Sequence, residues 1–247
     1  QALELTEKIL KCENISLLGF HCHIGSQIFE SQPFTTAADM MFSFIADVKN
    51  KLGFVTEILN LGGGFGVRYT EKDPEIDYAE KISEIASVLK GQCDKYGISV
   101  PRISMEPGRS IVADAGLTLY TVGSVKEIRG YKNYVSIDGG MTDNPRFTLY
   151  ESEYTVEIAN KMNCPKDYTA TVAGRCCESG DLIGENFKMP KPQRGDILAV
   201  LTTGAYNYSM ASNYNRVPRP PVVMLKDGKD YIAVKRETLD DICGLDV

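Results

Sequence analysis

Within the first 110 residues, a short apolar run recurs three times and is followed by a segment whose apolar residues recur at helical spacing. Of all features of the sequence, this alternation constrains the fold most. The runs cover residues 15–26, 56–66 and 103–110, and each ends in glycine and polar residues. Such strand-then-helix repetition is typical of a parallel sheet with helices outside it. The sequence therefore predicts a doubly wound sheet or a barrel for this part of the chain.

Two helices are expected between the runs, over residues 34–52 and 76–96, because apolar residues recur there at helical spacing. Gly53 and Gly97 follow them directly and are typical helix stops. The chain also opens on an amphipathic segment, with no initiator methionine and no charged leader. We expect this first helix to be entered part-way, in a chain that is the C-terminal part of a longer protein.

The pattern changes after about residue 112. From there to residue 200 the sequence consists of runs rich in Val, Ile, Thr and Tyr, joined by turns that contain Gly, Pro, Asn or Asp. No long helical pattern interrupts them. These features predict an antiparallel β-domain over residues 113–247, after an α/β domain over residues 1–112.

Composition and charge exclude several functional classes. The chain has 247 residues, a formal net charge of −6 and no basic run, so no nucleic-acid partner is expected. No apolar stretch approaches the roughly 18–20 residues that span a bilayer, so no membrane partner is expected. The seven cysteines form no CxxC pair, which favours reduced thiols and a cytoplasmic location. The expected partner is a small molecule or another protein.

Residues at the carboxyl ends of parallel strands are often functional, and the first run ends in HCHIGSQ, residues 21–27. His21 and His23 could ligate a metal ion. Zinc needs three or four ligands and no third is evident, so no metal is expected. The alternative is that one imidazole is a hydrogen-bonded core group.

The second run ends in GGGFG, residues 62–66. Without Cβ atoms, consecutive glycines let backbone N–H groups converge on an anion, which favours a phosphate site. The string does not meet the dinucleotide pattern GxGxxG, and no helix begins at once. A tight strand-to-helix turn is the alternative.

The third run ends in Glu106, Pro107, Gly108 and Arg109. An anion site beside a lone carboxylate suggests a ligand with a phosphate at one end and a cationic group at the other. Pyridoxal phosphate (PLP) has both, because its pyridine nitrogen is stabilised in the protonated form by a carboxylate. A surface ion pair between Glu106 and Arg109 is the alternative.

Three further groups stand out in the β-domain. Cys177 precedes Glu178 in a polar turn, where a thiol could donate a proton, although two small buried residues at 176–177 are the alternative. Arg146 and Tyr150 are four residues apart and could hold a carboxylate from one helical turn, unless the arginine is simply solvated. Tyr206 follows a Gly-Ala pair at the end of another strand-like run.

Six strings of this sequence, in order, resemble the fold-type-III PLP-dependent amino-acid decarboxylases. They are GFHCHIGSQ, LNLGGGFG, EPGRS, DGGMTDNPRFTLY, CCESGD and GAYNYSMASNYNRVPRP, between residues 19 and 220. The resemblance implies an α/β plus all-β fold. Residues 1–112 would be the C-terminal part of a PLP-binding (β/α)8 TIM barrel, and residues 113–247 a sandwich-like or barrel-like antiparallel β-domain with substrate-binding and proton-donor loops.

The resemblance also implies roles by position. His23 would stack on the cofactor ring, and Glu106 would pair with the pyridine nitrogen. Cys177 would be the general acid and would reach the active site of the partner subunit, which implies a homodimer. The residues implied to bind the cofactor are His23, Ser26, Gly62, Gly63, Gly64, Glu106, Pro107, Gly108, Arg109 and Tyr206, and those implied to be catalytic are Cys177, His23 and Glu106.

The implied substrate is meso-2,6-diaminopimelate, which would be decarboxylated to L-lysine and CO2. Arg146 and Tyr150 would hold its distal carboxylate, and Glu178 its distal amino group. Arg109 and Tyr206 would make further substrate contacts. An analogue without the second carboxylate would leave Arg146 without its partner, and unpaired buried groups penalise such analogues strongly.

One feature departs from the family pattern. The family carries its Schiff-base lysine on an early barrel strand, far before the first string, whereas only 20 residues precede His21 here. Lys8 and Lys11 belong to the expected first helix and not to a strand end. We therefore expect this chain alone to be inactive.

Two other functions stay open. One is a related PLP decarboxylase that acts on a carboxynorspermidine-like or basic amino acid. The other is a non-catalytic homologue that binds a protein partner.

Overall fold

The structure is a computed structural model that describes all 247 residues. The chain divides into two compact units. The first unit comprises Gln1–Arg68 and Asp73–Ile111, and the second comprises Tyr69–Lys72 and Val112–Val247. No helix is long and apolar enough to cross a membrane. All seven cysteines are free thiols.

The first unit contains a parallel three-stranded sheet with helices between its strands. The strands are β1 (Gly19–His21), β2 (Ile58–Asn60) and β3 (Arg102–Ser104), in that order across the sheet. The helices are α1 (Ala2–Ile9), α2 (Gln32–Leu52) and α3 (Tyr78–Tyr96), and the short α4 (Arg109–Val112) follows β3. The predicted helices and the parallel strand-helix alternation are confirmed.

Local signals explain where both long helices end and where α3 begins. The Asp77 side chain accepts hydrogen bonds from the backbone N–H groups of Ala79 and Glu80, which caps α3. Gly53 and Gly97 end α2 and α3 in the left-handed conformation, with φ of 69° and 58°, as their positions predict.

The core of the first unit lies between α2, α3 and the central strand. Phe34 of α2 stacks on Phe65, with 4.4 Å between ring centroids. Phe65 directly follows Gly62, Gly63 and Gly64, which form the glycine run. Burial of these apolar side chains holds the strand ends in place beneath the helices. The buried cluster consists of Phe34, Ala38, Phe42, Ile45, Ala46, Leu59, Leu61, Phe65, Ile85, Leu89, Cys93 and Ile98.

The second unit is built on a six-stranded sheet with strand order β6-β9-β4-β5-β7-β8. A separate hairpin pairs β10 with β11. The strands are β4 (Leu117–Ile128), β5 (Lys132–Ile137), β6 (Val156–Ile158), β7 (Tyr168–Ala173), β8 (Leu182–Met189), β9 (Ile197–Leu201), β10 (Val222–Lys226) and β11 (Lys229–Val234). Two short helices, α5 (Arg146–Tyr150) and α6 (Leu239–Cys243), complete the unit.

One pairing in this sheet corrects the expectation of a purely antiparallel domain. Strands β5 and β7 run parallel, whereas the other pairings of the sheet are antiparallel. The connection from β5 to β7 contains α5 and β6, and a long crossover of this kind allows parallel neighbours. Residues 138–155 of this crossover carry Arg146 and Tyr150.

Candidate functional site

The loops that follow the three parallel strands converge in the first unit. The Cys22 N–H donates to the Asn60 carbonyl at 2.9 Å, and the Glu106 N–H donates to the Gly62 carbonyl at 2.8 Å. The Ile28 N–H donates to the Gly64 carbonyl at 3.0 Å. The glycine run therefore lies between the other two loops and is bonded to both.

This close approach explains why the run consists of glycines. A Cβ atom on Gly62 would lie 2.6 Å from the Cys22 carbonyl oxygen, and one on Gly63 would lie 2.2 Å from that of Glu106. Gly64 has φ of +111°, and its Cβ would lie 2.4 Å from the oxygen of Gly25. Any larger residue would push the three loops apart.

Glu106 is held by a residue that the sequence analysis did not single out. The Asn60 side-chain amide donates to Glu106 Oε1 at 2.7 Å, and its oxygen accepts the Gly62 N–H at 2.8 Å. His21 Nε2 lies 3.6 Å from Glu106 Oε2. Glu106 itself stands two residues beyond the end of β3. The position of Asn60 at the end of β2 is the signal that could have identified it.

Other side chains order the first loop. The Gly63 N–H donates to His23 Nδ1 at 3.3 Å. Arg109 donates to the Ser26 hydroxyl at 2.9 Å, which links the first and third strand ends. Gln27 forms two bonds with the backbone of Val67, at 2.7 Å to its carbonyl and 3.2 Å from its N–H. The hydrogen bond from Arg109 thus reaches the same loop that carries His23.

In the second unit, Arg146 is buried and ordered by three residues. Its guanidinium donates to the Tyr69 hydroxyl at 2.9 Å and to the Ser152 hydroxyl at 3.2 Å. It also lies 5.5 Å from the ring centroid of Tyr206. Tyr150, at the other end of α5, has 63% of its surface exposed. The sequence analysis missed Tyr69, which no local pattern marks.

The turn after β7 carries two cysteines with different surroundings. Burial and, next, the neighbouring Asp181 carboxylate raise the pKa of the Cys176 thiol to about 11. Cys177 is exposed. The Glu178 side chain accepts from the Gly180 N–H at 3.3 Å, within the same turn. Cys177 is therefore the thiol of this pair that another molecule can reach.

Comparison with known proteins gives these features a context. Residues 1–113 match the pyridoxal-binding domain of the pyridoxal-dependent decarboxylases. Diaminopimelate decarboxylase of Bacillus subtilis (strain 168) is 49% identical over 98% of this chain. The chain is thus similar to the pyridoxal-dependent decarboxylases over nearly its whole length.

Two further comparisons agree with this similarity. Diaminopimelate decarboxylase of Bacillus methanolicus is 46% identical over 96% of the chain. The structure of diaminopimelate decarboxylase from M. jannaschii in complex with L-lysine covers 100% of the chain, with a TM-score of 0.89 and 33% identity. The chain spans 55% of the length of each of these decarboxylases.

The first unit has a donor set that fits PLP, the cofactor of the matched pyridoxal-binding domain. The Ser26 hydroxyl and the Arg109 guanidinium are suited to a phosphate, and the glycine run leaves no Cβ in the way. The Glu106 carboxylate, oriented by Asn60, is suited to a protonated ring nitrogen. The chemistry of these residues therefore matches both ends of the cofactor.

Proposed function

We propose that the whole protein containing this chain decarboxylates meso-2,6-diaminopimelate to L-lysine and CO2 as a PLP-dependent enzyme. The observation that carries the proposal is the Asn60–Glu106 pair beside the glycine run, which places a carboxylate at the same strand ends as a phosphate-type donor set. The relatives named diaminopimelate decarboxylase support this substrate. In this proposal residues 1–112 are the C-terminal part of a (β/α)8 barrel, and residues 113–247 are the β-domain.

Glu106 acts on the ring nitrogen. When bound, the cofactor supplies an electron sink for the pair left on the α-carbon as CO2 departs. The Glu106 carboxylate holds a proton on the pyridine nitrogen, because a neighbouring negative charge favours the charged form of that group. Asn60 orients one oxygen of the Glu106 carboxylate toward that nitrogen. His23 lies against the cofactor ring, and Pro107 and Gly108 form the loop beside the ring.

Cys177 returns a proton to the α-carbon. Its thiol is exposed, whereas the Cys176 thiol has a raised pKa and lies against Asp181. We assign Cys177 to the active site of the partner subunit, so the proposal includes a homodimer. Tyr206 contacts both cofactor and substrate.

The second unit selects the substrate. Arg146 and Tyr150 hold the distal carboxylate, and Glu178 holds the distal ammonium group, with Arg109 as a further contact. Arg146 is preorganised for this task because Tyr69 and Ser152 fix its guanidinium. A basic amino acid without a second carboxylate leaves this buried cation unmatched.

Substrate profiling of the whole protein with PLP tests the proposal. We expect CO2 release from meso-diaminopimelate and at least about hundredfold lower kcat/KM with lysine, ornithine or arginine. Arg146→Met should remove most of this preference, whereas Arg129→Met, at an exposed position, should not. Equal rates with ornithine, or an Arg146→Met variant with unchanged preference, would contradict it.

A further inference from the structure

Asp181 is a buried carboxylate to which the proposed mechanism gives no role. Its side chain is almost fully buried, with 3% of its surface exposed. Oδ1 accepts the Met141 N–H at 2.6 Å, and Oδ2 accepts the Cys176 N–H at 2.6 Å. Buried carboxylates are costly without such partners, so this side chain is committed to two backbone groups.

These two backbone groups lie on different loops of the second unit. Met141 belongs to the loop that leads into α5, which begins at Arg146. Cys176 directly precedes Cys177 and Glu178. The Asp181 carboxylate therefore joins two segments. One leads to Arg146, which is proposed to hold the distal carboxylate of the substrate, and the other carries Cys177, the proposed proton donor.

The backbone on both sides is built around this carboxylate. A Cβ atom on Gly140 would lie 2.2 Å from Asp181 Oδ1, and one on Gly174 would lie 2.2 Å from both carboxylate oxygens. The two loops are bonded to each other as well, because the Arg175 N–H donates to the Gly139 carbonyl at 3.0 Å. No larger residue fits at either glycine while the carboxylate stays in place.

We propose that Asp181 is a positioning residue that sets the location of Cys177 and Glu178 relative to Arg146. The inference rests on the proposed function, because these three residues have roles only there. Asp181 touches neither substrate nor cofactor in this arrangement. It acts through the backbone of Met141 and Cys176.

The test is Asp181→Asn in the whole protein loaded with PLP. The amide has the shape of the carboxylate but a single acceptor oxygen, so one of the two N–H groups faces another donor. We expect kcat/KM for meso-diaminopimelate to fall at least about tenfold. Cofactor absorbance should be unchanged, since the cofactor residues at the strand ends belong to the first unit.

The alkylation rate of Cys177 by iodoacetamide, followed by peptide mass spectrometry, separates positioning from a general loss of stability. Asp181→Asn should change this rate several-fold, while the rate at exposed Cys164 stays the same. Asp143→Asn is the matched control, because Asp143 is a buried carboxylate of the Met141 loop that bonds to Tyr120, Gly140 and Thr142 but not to the Cys176 turn. It should leave Cys177 reactivity unchanged.

The inference is overturned if Cys177 reacts in Asp181→Asn as in the unaltered protein, or if Asp143→Asn alters it equally. The alkylation result stands even if the unaltered protein decarboxylates no diamino acid, which would refute the proposed function alone. If Asp181→Asn does not accumulate, amide exchange in the unaltered protein decides. The Met141 and Cys176 amides should exchange slowly, and fast exchange at either one refutes the link.

Discussion

Asn60 connects two groups that would otherwise be independent, the glycine run and the Glu106 carboxylate. Both ends of its side-chain amide form hydrogen bonds, because the nitrogen donates to Glu106 Oε1 and the oxygen accepts the Gly62 N–H. Asn60 thus supplies the hydrogen bond that orients one carboxylate oxygen, and His21 Nε2 lies 3.6 Å from the other.

Asn60→Ala in the whole protein should weaken PLP binding about tenfold, because the Gly62 N–H loses its acceptor and Glu106 loses its orienting donor. A PLP titration followed by absorbance measures this loss. Asn50→Ala, at an exposed position of α2, is the control and should bind like the unaltered protein. Equal affinity of both variants would show that Glu106 does not depend on Asn60.

Site residues that follow a strand could be anticipated because their positions are set locally, and Glu106, Ser26 and the glycines belong to this group. Tyr69 and Gln27 could not. Tyr69 meets Arg146 across 77 positions of sequence, and Gln27 meets Val67 across 40. Tertiary packing determines which residues they contact. No local pattern in a single sequence indicates these contacts.

Among the elements, the long helices were predictable and several strands were not. Helix α3 carries its own start and stop in Asp77 and Gly97. Strand β8 contains Gly184 and the polar residues Glu185 and Asn186 at its centre, and no apolar pattern in the sequence marks it as a strand. A strand is defined by the neighbours that accept its hydrogen bonds, and these lie far away in sequence.

Two carboxylates of residues 237–247, Glu237 and Asp246, bind polar side chains of residues 213–219, which precede β10. We call this group the clamp. The Glu237 carboxylate accepts from Arg219 Nε at 2.6 Å and from Asn213 Nδ2 at 2.6 Å. The Arg219 side-chain hydrogen bond, first, and its backbone N–H lower the pKa of Glu237 to about 2. Asp246 forms a bidentate pair with Arg216 nearby, and this hydrogen bond lowers the pKa of Asp246 too.

We expect the clamp to weaken as pH falls. A carboxyl group with a lowered pKa in the folded state stabilises it fully above its ordinary pKa of 4.5 and loses this contribution as pH falls toward about 2. Protection of residues 237–247 against amide exchange, measured relative to the intrinsic exchange rate at each pH, should therefore fall over that interval.

The variant Glu237→Gln isolates one carboxylate of the clamp. It should show faster exchange of residues 237–247 already at pH 7, because the charge-assisted bonds are weakened. Glu13→Gln, at an exposed position that is distant in sequence from residues 237–247, serves as the control. If exchange in Glu237→Gln equals that of the unaltered protein at pH 7, the clamp does not depend on this charge.

At the scale of the whole molecule, the 247-residue chain should not decarboxylate by itself. The three parallel strands end in His21, Asn60 and Ser104, so none of them presents a lysine amine. The resemblance to fold-type-III decarboxylases implies that the cofactor is attached covalently through such a lysine. We expect no CO2 release above background from the chain with added PLP and meso-diaminopimelate, in a radiometric assay.

The whole protein is the matched control for this experiment and should release CO2 under the same conditions. Ordinary turnover by the 247-residue chain would refute the requirement for a lysine outside it. Absence of turnover in both proteins would instead favour a binding role.

The sequence by itself determined the alternation of strands and helices in the first 110 residues, the ends of α2 and α3, and the chemical types at the strand ends. These follow from side-chain periodicity, capping and glycine, which act within a few residues. Only the tertiary structure decided that β5 runs beside β7, that Asn60 directs Glu106, and that Asp181 joins two loops. The physical reason is that a buried polar group must be satisfied by whichever partner the packed chain brings within about 3 Å.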